Sequence, residues 1–131
     1  MSVPVPNLSP SRRSERGAVA YCSGLAAESI VERDYQARGY NLVVARWRGS
    51  AGEIDLILQH GDETVFVEVK KAKDFARAAE RISPRQMQRI AQSAEDYLSK
   101  LPQGRLSLMR IDVALVNQTG QVEVIENAFG A

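Results

Sequence analysis

Residues Gly52 to Lys71, GEIDLILQHGDETVFVEVKK, read as two β-strands around a tight turn, yet Glu53, Asp55, Glu68 and Lys70 lie inside those strands. Acids and lysine are depleted in strands, which favour β-branched and aromatic side chains. Side chains alternate across a strand with a period of two. By that rule Glu53 and Asp55 share one face of the first segment, opposite Ile54, Leu56 and Leu58. In the second segment Phe66, Glu68 and Lys70 share a face opposite Val65, Val67 and Val69. Each strand is expected to keep one apolar face and to gather its charges on the other.

A turn centred on Gly61 places Asp55 six residues back and Glu68 seven on, within cross-strand or diagonal reach. Two carboxylates about 4 Å apart repel by roughly 4 kcal/mol at an effective dielectric near 20. A domain worth only about 5–15 kcal/mol in total keeps such a pair only with compensation. That compensation is Lys70, a divalent cation, or both. Two carboxylates and several waters suit Mg²⁺, and Mn²⁺ takes the same oxygen donors. A lysine two residues past Glu68 can orient an attacking water or offset charge on a phosphorane-like transition state. The same spacing also serves a plain surface ladder of ion pairs, so spacing alone leaves both readings open.

The elements around these strands must position them. GLAAESIVERDYQARGY predicts a helix of about four turns closed by Gly39. Glu28 lies on its apolar stripe of Leu25, Val31 and Tyr35, so this carboxylate is expected to point inward or to snorkel to water. YNLVVARWR follows as a strand, with Trp47 read as a core residue or a base-stacking one. DFARAAERI is a weak helical turn or lid. SPRQMQRIAQSAEDYLSKL is the clearest helix: Ser83 is the N-cap, Pro84 takes the first position, and Gln86 completes an S-x-x-Q capping box. LSLMRIDVALV and QVEVIEN supply two more strands, with Asp112 expected as a strand-edge or structural acid. The expected fold is α/β, a central mixed five-stranded sheet flanked by helices.

The 131 residues suit one domain, with 44% apolar and 25% charged residues, an ordinary globular composition. We divide the chain into a flexible N-terminal tail, 1–17, and a single domain, 18–131. The tail holds three of the five prolines and lacks the apolar centre of a signal peptide. One cysteine, Cys22, and one histidine, His60, are too few for a structural zinc site. The unpaired cysteine points to a reducing, cytoplasmic setting, and no apolar run is long enough to cross a membrane. Net charge is +1, but residues 70–89 hold seven basic side chains against two acids. Such a run is a solvated helix face or a surface for phosphates.

An acid on the first helix, an Asp on a strand, and Glu-x-Lys on the next strand together resemble the PD-(D/E)XK nuclease core. More closely, GYNLVVARWR, GEIDLI, FVEVK, SPRQ, IDVALV and IENAF resemble a small bacterial predicted-endonuclease family, the YraN family, related to archaeal Holliday-junction resolvases. The similarity runs from about Gly24 to Phe129. It implies a restriction-endonuclease-like fold, with Asp55, Glu68 and the main-chain carbonyl of Val69 holding Mg²⁺ or Mn²⁺. It further implies that Lys70 is the catalytic lysine and that Glu28 reaches the same site. Gln86 falls where related nucleases carry a polar residue facing the site. Arg46, Arg48, Lys71, Lys73, Arg77, Arg85 and Arg89 become candidates for phosphate contacts, along with Gln86. Lys71-Ala72 after the lysine and Ala27 before Glu28 depart from the family pattern. The function expected is Mg²⁺-dependent hydrolysis of phosphodiester bonds in nucleic acid, structured or branched DNA above all, with a homodimer as the symmetric form. The alternatives are a nucleic-acid-binding module whose nuclease site is weak or unused, and a plain interaction domain.

Overall fold

The computed structural model describes residues 24–129, so the expected tail and Cys22 lie outside the described residues. Helix α1, Gly24–Ala37, ends in a turn where Gly39 takes φ +94°, as the sequence predicts. Strands β1 (Asn41–Arg48), β2 (Glu53–His60) and β3 (Glu63–Lys71) follow. A short helix α2 (Phe75–Glu80) and a long helix α3 (Pro84–Ser99) precede β4 (Leu108–Val116) and β5 (Val122–Ile125). The weak helical turn expected over 74–82 is thus a formed helix. Asp74 caps it, its side chain accepting the Arg77 N–H.

The sheet has the order β1-β2-β3-β4-β5, antiparallel except between β3 and β4. Gly61 and Asp62 make a two-residue hairpin turn between His60 and Glu63, with Gly61 at φ +59°. Glycine reaches that region without steric penalty. The parallel β3–β4 pair requires a crossover, which α2 and α3 provide. This is the α/β class and mixed five-stranded sheet expected, consistent with a restriction-endonuclease-like core.

One apolar layer joins Ala27, Val31 and Tyr35 of α1 to Leu56, Leu58, Val65 and Val67. The other joins Ala78, Met87, Ile90, Ala94 and Leu98 of α2 and α3 to Ile57, Phe66, Ile111 and Val113. Strand β3 alternates as expected, its valines toward α1 and Phe66 toward α3. Strand β2 does not. Ile54 packs in the α3 layer with Ile57, so the expected grouping of Ile54 with Leu56 and Leu58 is corrected.

Asp112 is the structural acid that one of its two readings expects, and only the strand-edge alternative is corrected. It lies on β4, interior to the sheet, and is fully buried. It accepts from Tyr35 Oη at 2.7 Å, Arg110 Nε at 2.8 Å and the Asn127 main-chain N–H at 2.9 Å. Arg110 also donates to Tyr40 Oη, and Tyr40 stacks on His60. This network ties α1 to the hairpin end of the sheet, opposite the end where Glu68 and Lys70 lie. Trp47 takes its core role, edge-on to Tyr97 at 5.4 Å. Among the described residues no helix is long and apolar enough to cross a membrane.

Candidate metal centre and nucleic-acid interface

Strands β2 and β3 stay paired from His60–Glu63 to Leu56–Val67. One step further the same register would set Asp55 against Glu68, and there the ladder ends. Asp55 Oδ2 instead accepts the Val69 main-chain N–H at 2.8 Å. A strand N–H points along the sheet, not off its faces. The Asp55 carboxylate therefore lies in the gap between the two strands.

Glu68, 6% exposed, faces α3 on the same side of β3 as Phe66. Its Oε2 stands 3.2 Å from Lys70 Nζ and accepts from Gln86 Nε2 at 2.7 Å. Lys70 Nζ donates to Gln86 Oε1 at 2.5 Å, which closes a ring of three contacts. Ser83 caps α3 as expected, its Oγ accepting the Gln86 N–H at 3.1 Å. The return half of the expected capping box is not made, because the Gln86 side chain is drawn to Glu68 and Lys70. Placing the glutamine two residues past Pro84 sets it at the first turn of α3, directly over β3.

Glu28 sits on α1 beside the buried Ala27 and is half-buried. Burial, then the Asp55 carboxylate, push the Glu28 carboxyl up to about 7, while the Arg46 guanidinium pulls it down. Burial, then Asp55, push Glu68 up to about 8, against the opposing Lys70 cation. The Asp55 carboxylate raises both groups, so it couples an acid from α1 to an acid from β3. The Lys70–Glu68 contact has ion-pair distance, yet burial and Asp55 outweigh it. Near neutral pH the cluster retains protons where it lacks positive charge.

The donors gathered here are carboxylate oxygens, the type a hard divalent cation accepts. Among the described residues no three His, Cys, Asp or Glu side chains form a ready-made cage. By donor type alone these oxygens suit Mg²⁺ or Mn²⁺.

The basic candidates divide. Lys71 is half-buried at the end of β3, whereas Arg46, Arg48, Lys73, Arg77, Arg85 and Arg89 are exposed. Arg77 is tied to Asp74 at 2.6 Å. Arg85 and Arg89 project one turn apart on α3, and Arg89 borders the site. With Gln86, Ala51, Gly52, Glu53 and Ile90 it lines a cleft of about 180 Å³. Gln86 belongs both to this cleft and to the ring with Glu68 and Lys70, so the cleft opens beside them. Glu53, which is not among the candidate ligands expected from the sequence, also belongs here: its charge acts on Glu28 and it walls the cleft. The signal for it was its place two residues before Asp55.

The sequence profile of the uncharacterised protein family UPF0102 matches residues 27–116. The chain belongs to that family. The matched span includes Glu28, Asp55, Glu68, Lys70, Gln86 and Arg89. A UPF0102 protein of Ruegeria pomeroyi is 56% identical over 117 residues, 89% of this chain and 95% of its own length. Another UPF0102 protein, from Roseobacter denitrificans, is 51% identical over 117 residues, 89% of this chain and 91% of its own. One from Dinoroseobacter shibae is 43% identical over 129 residues, 97% of this chain and 96% of its own.

Proposed function

We propose that this UPF0102 protein is a metal-dependent nuclease of the PD-(D/E)XK kind, hydrolysing phosphodiester bonds in structured or branched DNA. The observation that carries the reading is the position of Asp55 beside Glu68, with Lys70 Nζ 3.2 Å from Glu68 Oε2. Asp55, Glu68 and the Val69 carbonyl would hold Mg²⁺ or Mn²⁺, with Glu28 behind them. A bound divalent ion would supply Lewis-acid polarisation of the phosphodiester and a water that ionises near neutral pH. Lys70 brings an ammonium group to the same face and stabilises negative charge that develops on the phosphate. Gln86 holds Lys70 and Glu68 in place, since it bonds to both. Arg85 and Arg89 on α3, with Arg46 and Arg48 on β1, offer cations for the flanking phosphates. Cutting a junction symmetrically would call for two matched sites, hence a homodimer.

A second reading, a nucleic-acid-binding module with an unused site, is favoured by one observation. Glu68 Oε2 is already taken by Lys70 and Gln86, and the acids do not form a closed cage. Incubation with branched and linear DNA plus Mg²⁺ or Mn²⁺ separates the two. The nuclease reading expects cleavage that Asp55→Ala and Lys70→Ala abolish. If both variants cut as well as the parent, the assigned residues are wrong. Salt-sensitive DNA binding without turnover would leave the second reading.

A further inference from the structure

Arg46 takes φ +58°, in the left-handed region that residues other than glycine seldom occupy. It stands opposite Asp55 in the β1–β2 register, between the pairs Ala45–Leu56 and Trp47–Ile54. Both strands contribute the same number of residues over this stretch, so an inserted bulge residue does not account for the distortion. The bulge in β1 lies earlier, between Leu42 and Val44.

What changes at Arg46 is the pleat. Val44 and Trp47, three residues apart, both pack into the α3 layer, and so do Ile57 and Ile54 opposite them. An even alternation would send one of each pair toward α1. Leu56, between them, does face α1. The two paired strands exchange faces together, and the pair at which they do so is Arg46–Asp55. At the same step Asp55 leaves the β2–β3 ladder and takes the Val69 N–H. Arg46 lies within a strand and is exposed, so neither a chain reversal nor core packing of its side chain calls for a left-handed backbone. Such conformations persist where the surrounding structure enforces them, and they cluster at functional sites.

We infer that Arg46 is a positioning residue for Asp55: its left-handed backbone twists the β1–β2 ribbon and swings the Asp55 carboxylate off the pleat into the gap beside Glu68. The purpose of this twist rests on the proposed phosphodiester site, but its geometry does not.

The Val69 amide reports the Asp55 placement without any metal or DNA. In ¹⁵N spectra and hydrogen exchange of the full chain, Asp55→Ala should abolish the downfield shift and protection of Val69 N–H. Arg46→Val should do the same, because a β-branched residue resists positive φ most strongly. Arg46→Gly keeps the backbone conformation available and should leave the Val69 signal as in the parent. Mn²⁺ titration should follow suit, about 10-fold or more weaker in Arg46→Val than in Arg46→Gly, two variants that both lack the guanidinium acting on Glu28. A folded Arg46→Val protein with a parent-like Val69 amide overturns the inference, and so does an Arg46→Gly protein that loses it. Should Arg46→Val fail to fold, the Arg46→Gly result decides. If the parent binds no Mn²⁺ while the Val69 pattern holds, the metal reading falls and the positioning role stands.

Discussion

Lys70 Nζ and Glu68 Oε2 stand 3.2 Å apart on one face of β3, and the Glu68 carboxyl is nonetheless held up to about 8. An adjacent ammonium group ordinarily lowers a carboxyl. Here burial and the Asp55 carboxylate prevail, so the cluster is short of positive charge even with its lysine in place. A structural ion pair gains little from that arrangement, whereas the cation proposed for this site would supply the missing charge.

Lys70→Ala therefore tests the lysine's role in the proposed reaction. Removing one preorganised charge-stabilising donor typically costs about 10²–10³ in rate. Single-turnover cleavage of branched DNA should fall by that order with the fold retained by circular dichroism. Cleavage at the parental rate would exclude Lys70 from the chemistry.

The pH dependence of stability follows from the raised acids. Glu28 and Glu68 go from their ordinary value, 4.5, to about 7 and about 8 in the folded protein. Over that window the folded chain holds protons that the unfolded chain has released, so stability declines as pH rises. Metal-free protein should melt higher at pH 5.5 than at pH 8. Asp55→Asn removes a charge that raises both acids, and it should flatten the profile. Differential scanning calorimetry across the range checks both expectations.

Divalent ions should act in the opposite sense. An ion that binds only the folded state stabilises it by mass action, about 2.7 kcal/mol at one hundred times its Kd. Because it competes with protons on the acids, Mn²⁺ should raise Tm more at pH 8 than at pH 6. EDTA should reverse the gain, and Asp55→Ala or Glu68→Gln should remove it. An unchanged Tm at millimolar Mn²⁺ would leave the acids as structural groups.

Ser83 and Gln86 separate stability from activity within one turn of α3. Ser83→Ala loses the cap to the Gln86 N–H and should cost about 1 kcal/mol in urea denaturation, with cleavage preserved. Gln86→Ala keeps that main-chain cap but releases Lys70 and Glu68. It should lower cleavage more than it lowers stability. The reverse ranking would make Gln86 a structural tie between α3 and β3 and nothing more.

Asp112→Ala should be the most destabilising of these changes. It strands the Arg110 guanidinium and the Tyr35 hydroxyl, and breaking a buried pair costs about 3–5 kcal/mol. Tyr35→Phe deletes only one donor and should cost about 1 kcal/mol. Because this network braces the hairpin end of the sheet, the folded fraction of either variant should bind Mn²⁺ as the parent does.

Much of this was legible because local rules are set by short spacings. The period of two in β3 correctly put Glu68 and Lys70 on one face, and Ser83-Pro84 correctly started α3. Hairpin length brought Asp55 next to Glu68, one step past the last paired residues, Leu56 and Val67. Where the reading departed from the structure, a long-range contact overrode a local preference. Gln86 gives up its capping bond because Glu68 and Lys70, more distant in sequence, offer buried charged partners. Asp112 proves to be interior because a strand's place in the sheet depends on which other strands pair with it. Ile54 changes face because Arg46 twists both strands together.

The amino-acid sequence by itself determined the elements, the alternation of β3 and the types of residue available for chemistry, since these depend on side-chain spacing and main-chain preference. Only the tertiary structure decided that Glu28 from α1 and Glu68 from β3 meet at Asp55, and that Gln86 turns inward to join them. Convergence of side chains from separate elements is set by how helices pack on a twisted sheet. That packing is a sum over many distant contacts, and no short stretch of sequence contains it.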